Sequence, residues 1–336
     1  MSDGPRILIV RFSSIGDIIL ATSPLRTIRQ TYPKSHITFL TLTNYSSILE
    51  YHPDIDAVMA LRKTPSIPYH WRFSRLIIEK RFDLIFDLHN SLRSKFIFGN
   101  YKGQMETLKK PRLNRFLLFQ FHLNRFNNDF NVPLMYHQNL GSIWEEGDPV
   151  PKTSLSISKQ ESKQAEMILK NNSIRGSYVV IVPGAAWKQK QWSVEKYAEL
   201  CRAIKNDFGL DSVVIGTKND KICFQIADKV PGLVNLASKT SIRESMALIS
   251  GATRVVGSDT GLTHAAEALG TKVTMILGPT SRETGATTIL EDSSCVESKD
   301  TWCRPCSQNG SKACYRSSQV CMDSIKTEEV HNTFVD

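Results

Sequence analysis

Short unbroken apolar runs alternate along this chain with stretches whose apolar positions recur every three or four residues. Arg6-Ile-Leu-Ile-Val-Arg-Phe12 is the first such run and reads as a buried strand. Ser13-Ser-Ile-Gly-Asp17 follows as a loop, and a helical stretch then runs to about Tyr32, ended by Pro33. Pro24 lies inside that stretch and predicts a kink or a restart, because proline removes a helix donor. His36–Leu42 and Phe82–Leu88 read as further strands.

The second half repeats the alternation. Ser158 and Glu161 form a capping box that opens an amphipathic helix to about Asn171. Tyr178–Val182 reads as a strand, followed by the loop Pro183-Gly-Ala-Ala-Trp187. Ser193 caps a helix to about Phe208, and Ser212–Ile215 is the next strand. Ser241 and Glu244 make a second capping box, with a helix to about Ser250. Arg254–Gly257, a short helix ending near Gly270, and Lys272–Leu277 complete the series.

Strands alternating with helices predict parallel sheets joined by crossover helices. Two such series, separated by an irregular stretch from Asn131 to Pro151, predict an α/β protein of two Rossmann-like domains, 1–150 and 151–336. Such sheets bind ligands at the carboxyl ends of their strands, which directs attention to the loops after Phe12, Val182 and Gly257. No Gly-x-Gly-x-x-Gly follows the first strand and no Walker A pattern is present, which counts against a dinucleotide dehydrogenase or a P-loop NTPase.

The net charge of +9 is concentrated. From Trp71 to Phe130 there are twelve Lys and Arg against five Asp and Glu, and twelve minus five is seven of the nine. That excess implies an anionic partner, whether nucleic acid, anionic lipid or phosphorylated sugar; a solvated basic face is the plainer alternative. Phe96, Phe98, Tyr101, Phe116, Phe119 and Phe121 interleave with these charges but equally match core positions of helices. No recognised nucleic-acid motif accompanies them, so nucleic acid is not expected as a partner. No stretch approaches the roughly 18 apolar residues of a membrane span, and Met1–Arg6 shows no targeting pattern, so the expected location is the cytoplasm.

Three segments offer chemistry. In Arg11-Phe-Ser-Ser-Ile-Gly-Asp17, Gly16 allows close backbone approach or positive φ, and Asp17 is either a first-turn carboxylate favouring the helix dipole or a general base. In Val182-Pro-Gly-Ala-Ala-Trp-Lys-Gln-Lys-Gln-Trp192, Lys188 or Lys190 is placed to neutralise a departing diphosphate, unless the loop is merely solvated with Trp192 packed behind it. In Gly257-Ser-Asp-Thr-Gly-Leu-Thr-His264, Asp259, Thr260 and Gly261 make either an anion-binding helix start or an ordinary cap, and His264 either joins them or is a satisfied helix histidine.

Together with Leu88-His-Asn-Ser-Leu-Arg93, these segments resemble, in order and spacing from Ile7 to about Ile325, the lipopolysaccharide heptosyltransferases, glycosyltransferase family 9. The resemblance implies a GT-B type fold, two Rossmann-like domains with a cleft between them, the first for the acceptor and the second for a nucleotide-activated sugar. It implies inverting transfer, typically of heptose from ADP-heptose to a lipopolysaccharide inner-core acceptor on a lipid A precursor, with no cofactor required for catalysis. By position Asp17 is then the general base, with Ser14 and Gly16 beside the substrate. Lys190, Asp259, Thr260, Gly261 and His264 fall at the diphosphate, and Asp220 near the nucleoside. Arg93 and Lys95 fall on the acceptor side, with peripheral contact at the inner face of the inner membrane. Ala185 and Ala186 depart from the hydroxyl often found in the phosphate loop, which leaves backbone-only contacts or a different donor open.

Cys303, Cys306, Cys314 and Cys321 form Cys-x2-Cys-x7-Cys-x6-Cys, which fits a structural zinc, with disulfides or free thiols as the alternative. The other readings of the chain are a transferase of another activated sugar, a sugar-nucleotide epimerase, or a non-enzymatic protein that binds anionic surfaces or nucleic acid through the basic stretch.

Overall fold

The structure is a computed structural model that describes residues 4–64, 66–299 and 301–335. Half of the Met1–Arg6 targeting reading, and the outermost residues of both expected domains, therefore lie outside the described residues.

Eleven strands are present among them: β1 (Arg6–Val10), β2 (His36–Leu42), β3 (Ala57–Leu61), β4 (Leu84–Asp87), β5 (Gln104–Thr107), β6 (Tyr178–Val182), β7 (Asp211–Val214), β8 (Val234–Asn235), β9 (Arg254–Ser258), β10 (Val273–Leu277) and β11 (Ser294–Glu297). The helices of the first part are α1 (Ile15–Leu20), α2 (Ser23–Thr31), α3 (Ile67–Glu79), α4 (Leu92–Phe98), α5 (Arg112–Phe121) and α6 (Val132–His137). Those of the second are α7 (Lys159–Asn171), α8 (Val194–Phe208), α9 (Lys221–Lys229), α10 (Ile242–Ser250), α11 (Gly261–Ala268), α12 (Val320–Asp323) and α13 (Thr327–His331).

The strands form two wholly parallel sheets, ordered β3-β2-β1-β4-β5 and β11-β10-β9-β6-β7-β8. The unbroken apolar runs have their cause here. A parallel strand covered on both faces has no solvent side, and every residue of β6, β9 and β10 is buried. Leu8, Val10, Leu40 and Ile85 join one face of the first sheet to helix residues Phe73, Ile77 and Ile97. The second sheet has a core on each face, one built around Trp192, Tyr197 and Ile204, the other around Ala247, Leu248 and Val255.

The expected restart at Pro24 is present: α1 ends at Leu20 and α2 begins at Ser23 with the proline in its first turn. Both expected capping boxes are formed, with Ser158 and Ser241 each accepting from the glutamate amide three residues on. The stretch expected to be irregular from Asn131 to Pro151 instead contains α6 and a short 3-10 turn, Gly141–Ile143. Two compact units emerge, Met1–Lys110 with Val132–Ser156, and Pro111–Asn131 with Ile157–Asp336. Long-range bonds account for the interleaving: His122 Nδ1 lies 3.0 Å from the Arg304 carbonyl oxygen, whereas the Ser154 amide donates to Thr22 Oγ1 at 3.0 Å. Among the described residues no helix is long and apolar enough to cross a membrane.

Candidate functional site

In each sheet the strand order reverses direction at one place, and the candidate segments sit at those places. In the first sheet β1 has β2 on one side and β4 on the other, and the segments that follow β1 and β4 carry Asp17, at the start of α1, and His89. In the second sheet β6 and β9 are neighbours, and the loops leaving them carry Lys190 and Asp259. Diverging crossover helices open a crevice at such a switch point, where ligands of this fold class bind.

On the first unit Asp17 is the third residue of α1, and its carboxylate closes the helix start. Oδ2 accepts from the Ser14 amide at 3.0 Å and the Ser14 hydroxyl at 2.8 Å. Oδ1 pairs with Arg11 Nη2 at 2.8 Å. The Asp17 side chain still keeps 39% of its surface exposed, so a substrate hydroxyl can reach it. Burial pushes the carboxyl up, but the Arg11 guanidinium and the Ser14 donors outweigh it and hold Asp17 below the usual carboxylate range. Gly16, expected to offer positive φ or close approach, lies buried within α1 and is not among the residues with positive φ.

Arg11 directly follows β1 and is buried, and it orders this corner. Its Nη1 donates to the Leu88 carbonyl at 2.7 Å and its Nε to the Ser13 carbonyl at 3.0 Å, which ties the loops after β1 and β4 together. Tyr136 of α6 lies beneath, 5.9 Å from the guanidinium to its ring centre. The His89 ring packs against that of Phe12, 4.9 Å between centres and tilted by 59°, and its Nδ1 is buried without a hydrogen-bond partner. Burial, with Arg11 and Lys110 nearby, pushes its imidazole down to about 3, so it is neutral at physiological pH. Lys110 Nζ in turn donates to the His89 and Asn90 carbonyls, at 2.6 and 3.3 Å. Arg11 and His89 were quoted in the sequence motifs without being given a role. A charged residue at the end of an apolar strand was the available signal for Arg11.

Arg93 and Lys95 do not share a face of their helix. Two positions apart on α4 they point about 200° apart. Arg93 lies near enough to His89 to help hold that imidazole neutral. Lys95 is on the exposed side of the helix.

On the second unit Lys190 Nζ meets Asp259 Oδ2 at 2.7 Å, and Asp259 Oδ1 lies 3.4 Å from His264 Nε2. Burial raises the Asp259 carboxyl, but Lys190 and His264 overcome it and leave it strongly acidic. Thr260 caps α11; its amide donates to Thr263 Oγ1 at 3.1 Å, but its own hydroxyl oxygen is buried without a partner. Gly261 begins the helix, so its amide is one of the open donors there. Trp192 is packed behind the loop, donating to the Ile325 carbonyl at 3.2 Å, and Lys188 is exposed. Asp220 is the cap of α9, and its Oδ2 accepts from the Thr217 amide and hydroxyl at 2.7 and 2.8 Å. It also abuts the loop after β6, where a Cβ on Gly184 would fall 2.5 Å from the Asp220 carboxyl carbon.

The zinc expected at Cys303, Cys306, Cys314 and Cys321 is not supported. The four residues line one small cavity, yet among the described residues no three His, Cys, Asp or Glu are placed to hold a metal ion. Cys321 belongs to a core cluster on α12, its thiol pushed up to about 11 by burial, and Cys314 is exposed. Thiols held protonated by apolar packing are poor ligands.

Two all-parallel Rossmann-like units are the architecture of the GT-B class of glycosyltransferases. The family model of glycosyltransferase family 9 (heptosyltransferase) matches residues 70–315, and the chain belongs to that family. It is 23% identical over 285 residues to the lipopolysaccharide core heptosyltransferase OpsX of Haemophilus influenzae, covering 81% of this chain and 79% of that protein. The fold is shared with a family 9 glycosyl transferase from Veillonella parvula, at a TM-score of 0.79, 18% identity, and coverage of 98% of this chain and 95% of that one. It is also shared with the E. coli ADP-heptose lps heptosyltransferase II, at 0.75, 18%, 98% and 97%.

Proposed function

We propose that this glycosyltransferase moves a heptose from ADP-heptose to an inner-core sugar of a lipopolysaccharide precursor, with inversion at the anomeric carbon. The observation that carries the reading is the start of α11. There a buried, unpartnered Thr260 hydroxyl and open helix amides adjoin the Lys190–Asp259 pair at the switch point of the second sheet. That arrangement suits a diphosphate. The names of the relatives supply heptose, ADP and lipopolysaccharide.

In the proposed reaction the acceptor hydroxyl oxygen attacks the anomeric carbon from the face opposite the leaving group. The bond from that carbon to the diphosphate oxygen breaks, and the electron pair leaves with ADP. Lys190 and the α11 amides stabilise the charge growing on the diphosphate, and the acceptor proton passes to Asp17. An acidic carboxylate suffices as base, because the attacking hydroxyl loses its basicity as its new bond to carbon forms. Arg11 and Ser14 keep Asp17 ionised and aimed. Arg93, beside His89, is assigned to the acceptor, and Asp220 to the nucleoside side. No step of the proposed reaction calls on a metal. Because the acceptor is lipid-borne, the enzyme is proposed to work at the cytoplasmic face of the inner membrane.

Calorimetric titration with ADP and ADP-heptose, alongside an assay of heptose transfer, tests this. Asp17→Ala is expected to bind donor like wild type and to lose transfer by about 10²–10⁴-fold. Lys190→Met is expected to weaken ADP binding. Failure of the wild type to bind ADP, with binding of another nucleotide sugar, would overturn the donor assignment.

A further inference from the structure

The outer face of α3 and α4 carries a surface that the transfer reaction does not use. On α3, Ile67, Trp71, Ser74 and Ile78 follow one another at helical spacing and share a stripe. The Ser74 hydroxyl donates to the Ile97 carbonyl at 2.6 Å, so this stripe is the side of α3 that meets α4. On α4, Leu92 and Phe96 are likewise one turn apart, and the Phe96 ring lies 6.4 Å from that of His70. Ile67, Trp71, Ile78, Leu92 and Phe96 nonetheless face solvent, Leu92 with 86% and Trp71 with 52% of its surface exposed. Five large apolar side chains in one exposed strip exceed the single exposed residues usual on a soluble surface.

Cations border the strip. Arg75 sits 5.1 Å over the Trp71 ring, and Arg72 and Lys95 are exposed beside it. Glu79 is the one acidic residue on either helix.

We propose that this α3–α4 face docks on an anionic lipid surface. The composition matches what an interface of that kind selects. Tryptophan and aliphatic side chains enter the headgroup boundary, arginine and lysine extend to lipid phosphates, and acidic residues are excluded. A second copy of the chain would set like charges against each other. Nucleic acid would find leucine and isoleucine where it needs stacking platforms. Docking here would keep the enzyme at the surface that carries its acceptor, and it extends the proposal of a lipid-borne acceptor without depending on the donor.

The test is flotation of the full chain with vesicles of phosphatidylcholine alone and of phosphatidylcholine with phosphatidylglycerol. Transfer to a deacylated, soluble acceptor is measured in parallel. Wild type is expected to float with the anionic vesicles, less so in high salt. Ile67→Ser with Trp71→Ser and Leu92→Ser is expected to cut binding by at least about tenfold. Arg75→Glu is expected to cut it severalfold. Both variants should keep wild-type transfer to the soluble acceptor, which shows that they fold. Equal flotation of wild type and the apolar variant would overturn the proposal, as would no flotation of wild type with either vesicle. A wild-type dimer in sedimentation that the variant loses, without vesicle binding, would assign the face to a second copy instead and equally overturn it. Loss of transfer chemistry with flotation intact would count against the proposed reaction and leave the docking face standing.

Discussion

At the scale of single residues, the two candidate groups are both held by opposite charges. Asp17 is held by Arg11, and its shift has a definite sign: its pKa is lowered, so it stays ionised to lower pH than an ordinary aspartate. The acidic limb of kcat should therefore lie below the ordinary aspartate range. Arg11→Met removes the cation, so that limb should move to higher pH, and a pH–rate profile of the two proteins checks this. Lys190 has a double task. Lys190→Met leaves the mostly buried Asp259 carboxylate with only His264 beside it and should cost about 3 kcal/mol in denaturant unfolding. Adding Asp259→Asn should recover most of that stability but not the affinity for ADP. Asp17, Lys190 and Asp259 were legible in the sequence because motif order placed them after strands. Their pairings were not, since Arg11 reaches Leu88 across 77 positions and Lys190 reaches Asp259 between separate loops.

At the scale of elements, close backbone approach builds the second unit's switch point. A Cβ on Gly257 would lie 2.6 Å from the Val182 carbonyl oxygen of the adjacent strand β6, an atom the sheet cannot move. Gly257→Ala should destabilise the protein by roughly 1–3 kcal/mol and weaken donor binding, read by thermal unfolding and by ADP titration. A similar economy joins α7 to α10. Glu161 caps α7 through Ser158 and also pairs with Arg243 of α10, with Nε–Oε1 and Nη2–Oε2 both 2.6 Å. The two arginine bonds first, then the cap donors, hold the Glu161 carboxyl down at about 2. The capping box was plain from Ser158 and Glu161 three positions apart. That its glutamate is also an anchor for another helix could not be read from spacing.

At the scale of the molecule, a buried histidine makes stability depend on pH. His52 is buried, with its ring bonded to the Asp54 amide and facing Ser154 Oγ, and burial pushes it down to about 4. Between pH 6.5 and 4 the unfolded chain binds a proton there that the folded chain does not. Stability is therefore expected to fall as pH drops through that window, by roughly 1 kcal/mol per pH unit from this residue. His52→Gln should flatten the decline, measured as unfolding midpoints from pH 7 to pH 4. The two units also show that chain order and compactness differ. Residues 111–131 cluster with the second unit and 151–156 with the first, so no single cut separates them.

The sequence by itself determined the α/β alternation, the strands β1, β6, β9 and β10, the starts of α7, α8 and α10, the restart at α2, and the segments after strands that carry Asp17, Lys190 and Asp259. It could do so because strand burial, capping and proline breaks are local, written within a few residues of where they act. Only the tertiary structure decided which loops adjoin, because strand order is set by pairings between residues tens of positions apart. The same holds for the buried Arg11, the neutral His89, the failure of four spaced cysteines to form a ligand set, and the apolar strip on α3 and α4. Each depends on which faces remain uncovered once the cores are packed, and no spacing along the chain records that.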